Sequence, residues 1–456
     1  MHPTDLPRYT WAMQDPTSKC YYDAQFYPYT APGVDPFFAA TGHQSIFVCR
    51  PSKGKDGKYI EYIREWKDSS KEKGQPTELN SVAWTQNIEN GNPRLCIAGI
   101  QPPIIKIMDV LDNDHVRDLV GHGGPINDLK VSLQNPEILA SISEDHRICV
   151  WHLGAEYQKK PVAAIFQGAD KGQCLAIHDS GRYLLSGWND SSVQIWAMPD
   201  LPNEKTGTDD VRPVYIPHFI SNEVHSEPVD CLTFHGDLVI SKAALEQHII
   251  IWKIDGFNGY LDPPPCTSTA DYQPCIFRDE EDAPDFFGTT YSAFGPRFQR
   301  IMTLKIENNG CIWLKFGLFN MPEKRPVLVW GDNEGTIYFW DLQRLEEEWA
   351  GQDQDLSGGL GKSPSESSRS PGRSPSVASA GSVSWPKKRV MKESKPPVAR
   401  DQFTPIAPHR KLRVPTKAGG GMVSRACAWS NGGEWVVTVG EQQGRGFICM
   451  FDRWLS

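Results

Sequence analysis

Between Val120 and Leu153 the chain reads VGHGGPINDLKVSLQNPEILASISEDHRICVWHL, three short apolar runs punctuated by polar residues at fixed distances. Gly121-His122 opens the stretch, Ser141 stands four residues before Asp145, and Asp145 stands six before Trp151. Short alternating runs bounded by turn residues are the pattern of half-buried antiparallel strands. At this spacing a relay can form: the Trp indole N–H reaches the Ser hydroxyl, Ser reaches His, and His reaches the Asp in the turn between the second and third strands. Each link nets only about 1 kcal/mol, but partners shared in a buried network fix how the strands cross.

Weaker copies lie on both sides. Leu184 to Trp196 repeats the spacing as Ser186, Asp190 and Trp196 but has no Gly-His before it. Leu238 to Trp252 puts Glu246 in the Asp place and Lys242 in the Ser place, with His225 upstream as a surrogate. Val327 to Asp341 keeps a Trp-Asp end, and Val436 to Asp452 has Phe451 for the Trp. Two more, Asp35 to Val48 and Leu95 to Val110, precede the opening stretch, making seven. Seven such units predict an all-β chain, a seven-bladed WD-repeat β-propeller, because radial repetition buries each blade on its neighbours and leaves few free edges. The expected blades are 22–66, 77–116, 117–158, 160–200, 212–256, 288–346 and 401–456. The 15 Trp, 39 Gly and 36 Pro suit many short strands and tight turns.

A net charge of -9 argues against non-specific nucleic-acid binding and is compatible with a basic peptide partner. No stretch has the ~20 consecutive apolar residues of a membrane span, and the start MHPTDLPRYTW lacks the basic-then-apolar order of a secretory signal. The 11 cysteines are scattered without a CxxC pair, so neither a disulfide framework nor a zinc knuckle is indicated, and no metal or cofactor is expected. Buried thiols in a reducing compartment are the expectation.

Three stretches do not read as strand. Pro199 to Pro213 is polar and turn-rich, and Asp255 to Phe287 holds three prolines at 263–265 and the acidic RDEEDAPD at 278–285, reading as a long loop between blades. Gly351 to Arg400 is dominated by Ser, Gly, Pro, Lys and Arg, cannot bury enough apolar surface to fold, and is expected to be disordered. The domain reading is therefore one propeller, 1–350 with 401–456, interrupted by 351–400. That insertion carries Ser-Pro pairs at Ser363, Ser370 and Ser374 and the basic run PKKRVMK at 386–392, readable as an import patch or as solvated linker.

Beyond the repeat itself, VGHGGPINDLK with NPEILASISEDHRICVWHL, AIFQGADKG at 164–172, PVDCLTFHGDLVISKAALEQHIIIWK at 228–253, CIWLKFGLF at 311–319 and the terminal FDRW run in order along the chain. Together they closely resemble the Polycomb family known as embryonic ectoderm development, or extra sex combs. That resemblance implies a seven-bladed propeller serving as a non-catalytic core subunit of a Polycomb repressive complex two type histone H3 lysine methyltransferase in the nucleus. It implies as partners the catalytic SET-domain subunit, the histone H3 tail and other Polycomb subunits. One face would hold the catalytic subunit; the central opening of the other would read trimethyl-lysine in an aromatic cage and stimulate the enzyme allosterically.

A quaternary ammonium donates no hydrogen bond, so ring faces hold it through cation–π attraction, roughly 0.5–2 kcal/mol per ring. The resemblance places the first cage position on Phe26, with Tyr27 or Tyr29 taking the role if the register slips. The second falls on Asn80, in NSVAW, the adjacent third and fourth on Trp313 and Leu314, and an arginine of the last blade on Arg425. Two of four aromatics are thus absent, a loss of about 1–3 kcal/mol, or about one to two decades in affinity. Rebuilding from Tyr27, Tyr29 or Trp330 is the other possibility.

A generic WD adaptor, such as a ubiquitin-ligase substrate receptor, would share the ring but not the quoted strings. Direct sequence-specific nucleic-acid binding and membrane association are not expected. Catalysis is not expected either: the acidic residues at 278–285 lie in a Pro-containing loop rather than on rigid elements, and no nucleophile elbow, HExxH or phosphate-cradling loop is present.

Overall fold

The computed structural model describes residues 6–15, 18–31, 33–52, 59–67, 71–72, 75–265, 290–348, 401–415 and 421–453. Met1–Leu342 with Gln402–Ser456 forms one unit, the propeller. A second unit, Gln343–Asp401, is described only over 343–348, where the chain is helical, and at 401. The expectation of disorder over 351–400 lies outside the described residues, as does the acidic run at 278–285.

Strands make up 52% of the described residues against 3% helix, which settles the all-β class. Seven antiparallel meanders stand around a channel, each ordered from first strand to fourth. The first strands are Asp23–Phe26, Glu78–Gln86, Ile126–Val131, Gly172–Ile177, Val229–His235, Gly317–Phe319 and Val423–Trp429. Their residues line the central cavity: Asp23, Asp128, Cys174, Asp230, Gly317 and Ala426 all border it. Between neighbouring blades, faces rich in Val, Ile, Leu and Trp interlock; Trp151, Trp196 and Trp252 are buried almost completely. Burying such a side chain contributes roughly 2–3 kcal/mol each.

The ring closes with a strand from the far end of the chain. Arg8–Asp15 forms the fourth strand of blade seven, pairing from Arg8 with Asp452 to Asp15 with Gly446. This covers the edge of Arg445–Asp452 that an open ring would leave unpaired.

Blade boundaries differ from the expected ones for one reason. The sequence signature stops at the end of the third strand, whereas the fourth strand follows it with burial patterns that share no common form: His115–Val120, Val162–Gln167, Phe219–Ser221, Phe298–Lys305 and Arg410–Arg413. The long loop at Asp255–Phe287 therefore does not join two blades. It separates the third strand of blade five, His248–Ile254, from the fourth, Phe298–Lys305. Pro199–Pro213 likewise lies between the third and fourth strands of blade four, and 351–400 between those of blade six. Two short strands shield outer edges: Pro213–Val214 pairs with blade three, and Tyr291–Ser292 with blade four.

The relay of the opening stretch is complete. Trp151 Nε1 donates to Ser141 Oγ at 2.8 Å, His122 Nε2 meets Ser141 Oγ at 2.7 Å, and His122 Nδ1 meets Asp145 Oδ2 at 2.9 Å. Burial works to raise the Asp145 pKa, but the His122 hydrogen bond prevails and holds it below the usual range. Blade five repeats the relay with Glu246, yet the hydroxyl is that of Ser241, not the position held by Lys242: Trp252 Nε1 donates to Ser241 Oγ at 2.9 Å and His225 Nε2 meets it at 2.7 Å. The turn to Glu246 is one residue longer than in blade three, which displaced a count of four. In blade four Trp188 fills the His place, and Ser186 Oγ accepts from both Trp188 and Trp196.

Candidate functional site

In blades two, three, four, five and seven, the first strand carries a β-bulge at its start, where one residue has no partner on the second strand. The extra residues are Asn80, Asn127, Gln173, Asp230 and Arg425. A bulge re-aims the inserted side chain, and here the repeats set these residues at one level around the same mouth of the channel. Glycine makes room for two of the bulges: a Cβ on Gly99 would lie 1.9 Å from the Glu78 carbonyl oxygen, and one on Gly440 1.8 Å from that of Val423.

Blades one and six complete the ring in their own ways. Tyr22 precedes the first strand of blade one, its N–H bonded to the Thr41 carbonyl at 2.8 Å. Trp313 sits at φ +62°, a conformation rare for a bulky residue and common at functional sites. Its backbone N–H donates to Asp230 Oδ2 at 2.8 Å and its indole N–H to Gln173 Oε1 at 3.1 Å, so residues of blades four and five orient a ring of blade six.

Arg425 ties this sector together. Its Nη1 donates to the Ile312 carbonyl at 3.0 Å, its Nη2 lies 3.5 Å from Glu441 Oε1, and its guanidinium carbon stands 5.9 Å from the Tyr22 ring centroid. Burial pushes the Tyr22 hydroxyl up to about 12, so the ring is neutral. Tyr22 in turn lies 6.3 Å from the His43 ring, and the His43 carbonyl accepts the N–H of Leu79, next to Asn80. Asn80 Oδ1 is buried and has no hydrogen-bond partner; Asn127 Oδ1 is in the same state.

The structure thus joins Trp313 and Arg425 through the Ile312 carbonyl, sets Asn80 on the bulge of blade two, and turns the side chains of the other three expected residues to different surroundings. Phe26 lies four residues along the strand from Tyr22, about 13 Å down the channel at strand rise; it packs against Phe38 and borders the opposite cavity of about 340 Å³. Tyr27 is in the core between blades one and two, stacked on Phe37 and edge-on to Trp84. Leu314 is fully buried, and its carbonyl accepts Trp330 Nε1 at 3.2 Å. Trp330 is itself buried and Tyr29 bonds the Ser132 carbonyl, so neither supplies a replacement ring. The aromatic that sequence reasoning missed is Tyr22. Its signal was the glycine closing the second strand in ATG (40–42), IAG (97–99) and TVG (438–440), which marks the level of Tyr22, Asn80 and Arg425 in blades one, two and seven.

Below the mouth, the channel wall holds buried ion pairs. Lys315 Nζ is 3.2 Å from Asp128 Oδ1, Lys130 Nζ is 2.9 Å from the same carboxylate, and Lys242 Nζ is 2.7 Å from Asp230 Oδ1. Burial works to raise the Asp128 pKa, but Lys130, Lys315 and the Leu175 N–H bring it down to about 2. Elsewhere, His225, Glu246 and His248 hold their donor atoms within 4.8 Å of one another. Glu246 already accepts from both rings and from the Ser226 N–H and hydroxyl, so the trio is an extended relay of blade five.

Fold and relays define a WD-repeat β-propeller, with two aromatic rings, amides and a pinned guanidinium at one mouth of its channel. The WD40 family (WD domain, G-beta repeat) matches residues 113–152 and 161–197. Polycomb protein EED of Chaetomium thermophilum is 34% identical over 342 residues, covering 72% of this chain and 57% of that protein. Polycomb protein esc of Drosophila melanogaster is 24% identical over 285 residues, covering 59% of each. The chain therefore spans less than two thirds of these relatives' lengths. A chain of the ctPRC2 complex solved with H3K27me3 and H3K27M superposes with a TM-score of 0.77 at 26% identity, over 99% of this chain and 98% of that one. This protein is homologous to the EED and esc Polycomb proteins.

Proposed function

We propose that the chain is a non-catalytic core scaffold of a Polycomb repressive complex two type histone H3 lysine methyltransferase, acting in the nucleus. It binds the catalytic SET-domain subunit and other Polycomb subunits, and its bulge-ring mouth takes a methylated lysine of the histone H3 tail, stimulating the enzyme allosterically. The observation that carries the reading is Trp313, held at a left-handed φ with both of its N–H groups bonded, beside Tyr22 and Arg425. Trp313 keeps part of its surface exposed at the channel mouth while both of its N–H groups are held. Homology to EED and the superposition on a ctPRC2 chain solved with H3K27me3 support the partner and ligand classes.

Two measurements test it. Affinity purification of the full chain from nuclear extract should recover a SET-domain protein; recovery of ubiquitin-ligase subunits without one would overturn the scaffold reading. Calorimetry with a trimethylated H3 peptide should show binding above that of the unmethylated peptide.

A further inference from the structure

The string HGDLVISK sets a lysine directly after Ser241, the relay hydroxyl of blade five, and Lys242 is fully buried. At the same step of the second strand, after the relay serines Ser141 and Ser186, blade three buries Ile142 and blade four has Gly187. The repeat itself therefore does not call for a charge there. The ammonium is nonetheless fully engaged: Lys242 Nζ donates to Asp230 Oδ2 at 3.0 Å, to Asn309 Oδ1 at 3.3 Å and to the Ala243 carbonyl at 3.4 Å.

Two of these acceptors bracket the segment that carries Trp313. Asn309 opens it, and its side-chain amide donates to the Ala243 and Glu246 carbonyls of blade five at 3.1 and 2.7 Å. Trp313 closes it, with its backbone N–H given to Asp230 Oδ2 at 2.8 Å. One ammonium of blade five thus holds both ends of a loop of blade six. The left-handed φ of Trp313 is strained for a bulky residue and persists only where its surroundings over-determine it. A carboxylate makes the stronger, charge-assisted bond to that N–H, but a carboxylate with no exposure needs an opposite charge beside it. Lys242 supplies that charge. Attraction between a cation and a ring requires the cation to lie over the ring face, so the orientation fixed in this way is what a methyl-lysine would read.

We propose that Lys242 is a positioning residue for methyl-lysine reading: without touching the ligand, it holds Asp230 and Asn309 so that the Trp313 ring stays in the orientation the ligand meets. The proposal rests on the mouth being the methyl-lysine site and adds the residue of blade five on which that site depends.

The test titrates the full chain with one histone H3 peptide, trimethylated or unmethylated on the same lysine, and reads the ratio of the two affinities. Lys242→Met is expected to lower that ratio about tenfold, the size of one hydrogen bond to a charged group. This variant leaves Asp230 buried without its partner and can fold poorly, so Asp230→Leu/Lys242→Met replaces the pair with apolar side chains. The double variant should unfold at nearly the urea concentration of the unaltered chain and show the same loss of ratio. Ser141→Ala, a relay change in blade three, should lower the urea midpoint and leave the ratio unchanged. Hydrogen exchange gives a local measure: the Trp313 amide should be protected in the unaltered chain and exchange faster in Lys242→Met, while amides of blade three keep their protection. An unchanged ratio in both Lys242 variants, with Trp313→Ala still abolishing binding, would sink the proposal and leave the reader function standing. A ratio lost equally in Ser141→Ala, or a Trp313 amide unprotected in the unaltered chain, would also overturn it. Equal affinity of the unaltered chain for the two peptides would remove the reader function and the proposal together.

Discussion

A one-position difference in where a side chain sits decides most of the chemistry of this mouth. Trp313 and Arg425 are linked through the Ile312 carbonyl, and Asn80 sits on the bulge of blade two. The blade-one aromatic was not legible in the sequence: YYDAQFYPY offers five rings in nine residues, and choosing Phe26 over Tyr22 moved the expected site to the wrong end of the strand. Only the pairing with the second strand, where the Tyr22 N–H meets the Thr41 carbonyl, separates them. Trp313→Ala should abolish methyl-dependent peptide binding while leaving the urea midpoint close to that of the unaltered chain, since the ring is half buried; fluorescence anisotropy and urea denaturation check the two halves. Asp128 gives a pH prediction. Its folded pKa of about 2 lies below its ordinary 3.8, so its contribution is present above 3.8 and is lost as pH falls through that window towards 2. The linkage is of order 2 kcal/mol, and Asp128→Asn should flatten this limb of an acid-unfolding curve while destabilising the protein at neutral pH, where Lys315 and Lys130 lose their partner.

Among the elements, the third strands were readable and the fourth were not. Five of the seven third strands carry a Trp or Phe near their end on a dry face, whereas a fourth strand such as Arg410–Arg413 is partly exposed and holds a single apolar residue. The same limit misplaced the Asp255–Phe287 insertion, since without the fourth strand it looked like a connection between blades. The relay residues were legible in blade three and one position off in blade five, where the longer turn to Glu246 hid Ser241. Ser141→Ala should cost about 1–3 kcal/mol, because the Trp151 N–H and His122 Nε2 both lose their partner in a buried site; a shift of the urea midpoint at unchanged slope is the readout. Removing residues 1–15 strips the fourth strand from blade seven and bares the edge of Arg445–Asp452. The truncated chain is expected to unfold at lower urea and to self-associate in light scattering, and a truncation that stayed monomeric with an unchanged midpoint would contradict the closure described here.

On the scale of the whole molecule, seven blades set seven first-strand entrances at one level, and the ring needs no chemistry of its own to become a recognition surface. The number of blades was readable because each repeat keeps short apolar strand runs, five of the seven with an aromatic near the end of the third strand. The arrangement at the mouth was not, because it depends on residues of blades four and five, Gln173 and Asp230, orienting a ring of blade six across 140 and 83 residues of chain. The 351–400 insertion falls between the third and fourth strands of blade six, and from its composition its deletion should leave the thermal midpoint nearly unchanged in differential scanning calorimetry. The central claim is that this mouth, in the chain bound to its catalytic partner, reads lysine methylation. Titrating that complex with methylated and unmethylated histone H3 peptides measures it directly: the account predicts tighter binding of the methylated forms and its loss in Trp313→Ala, and equal affinity for methylated and unmethylated peptides would contradict it.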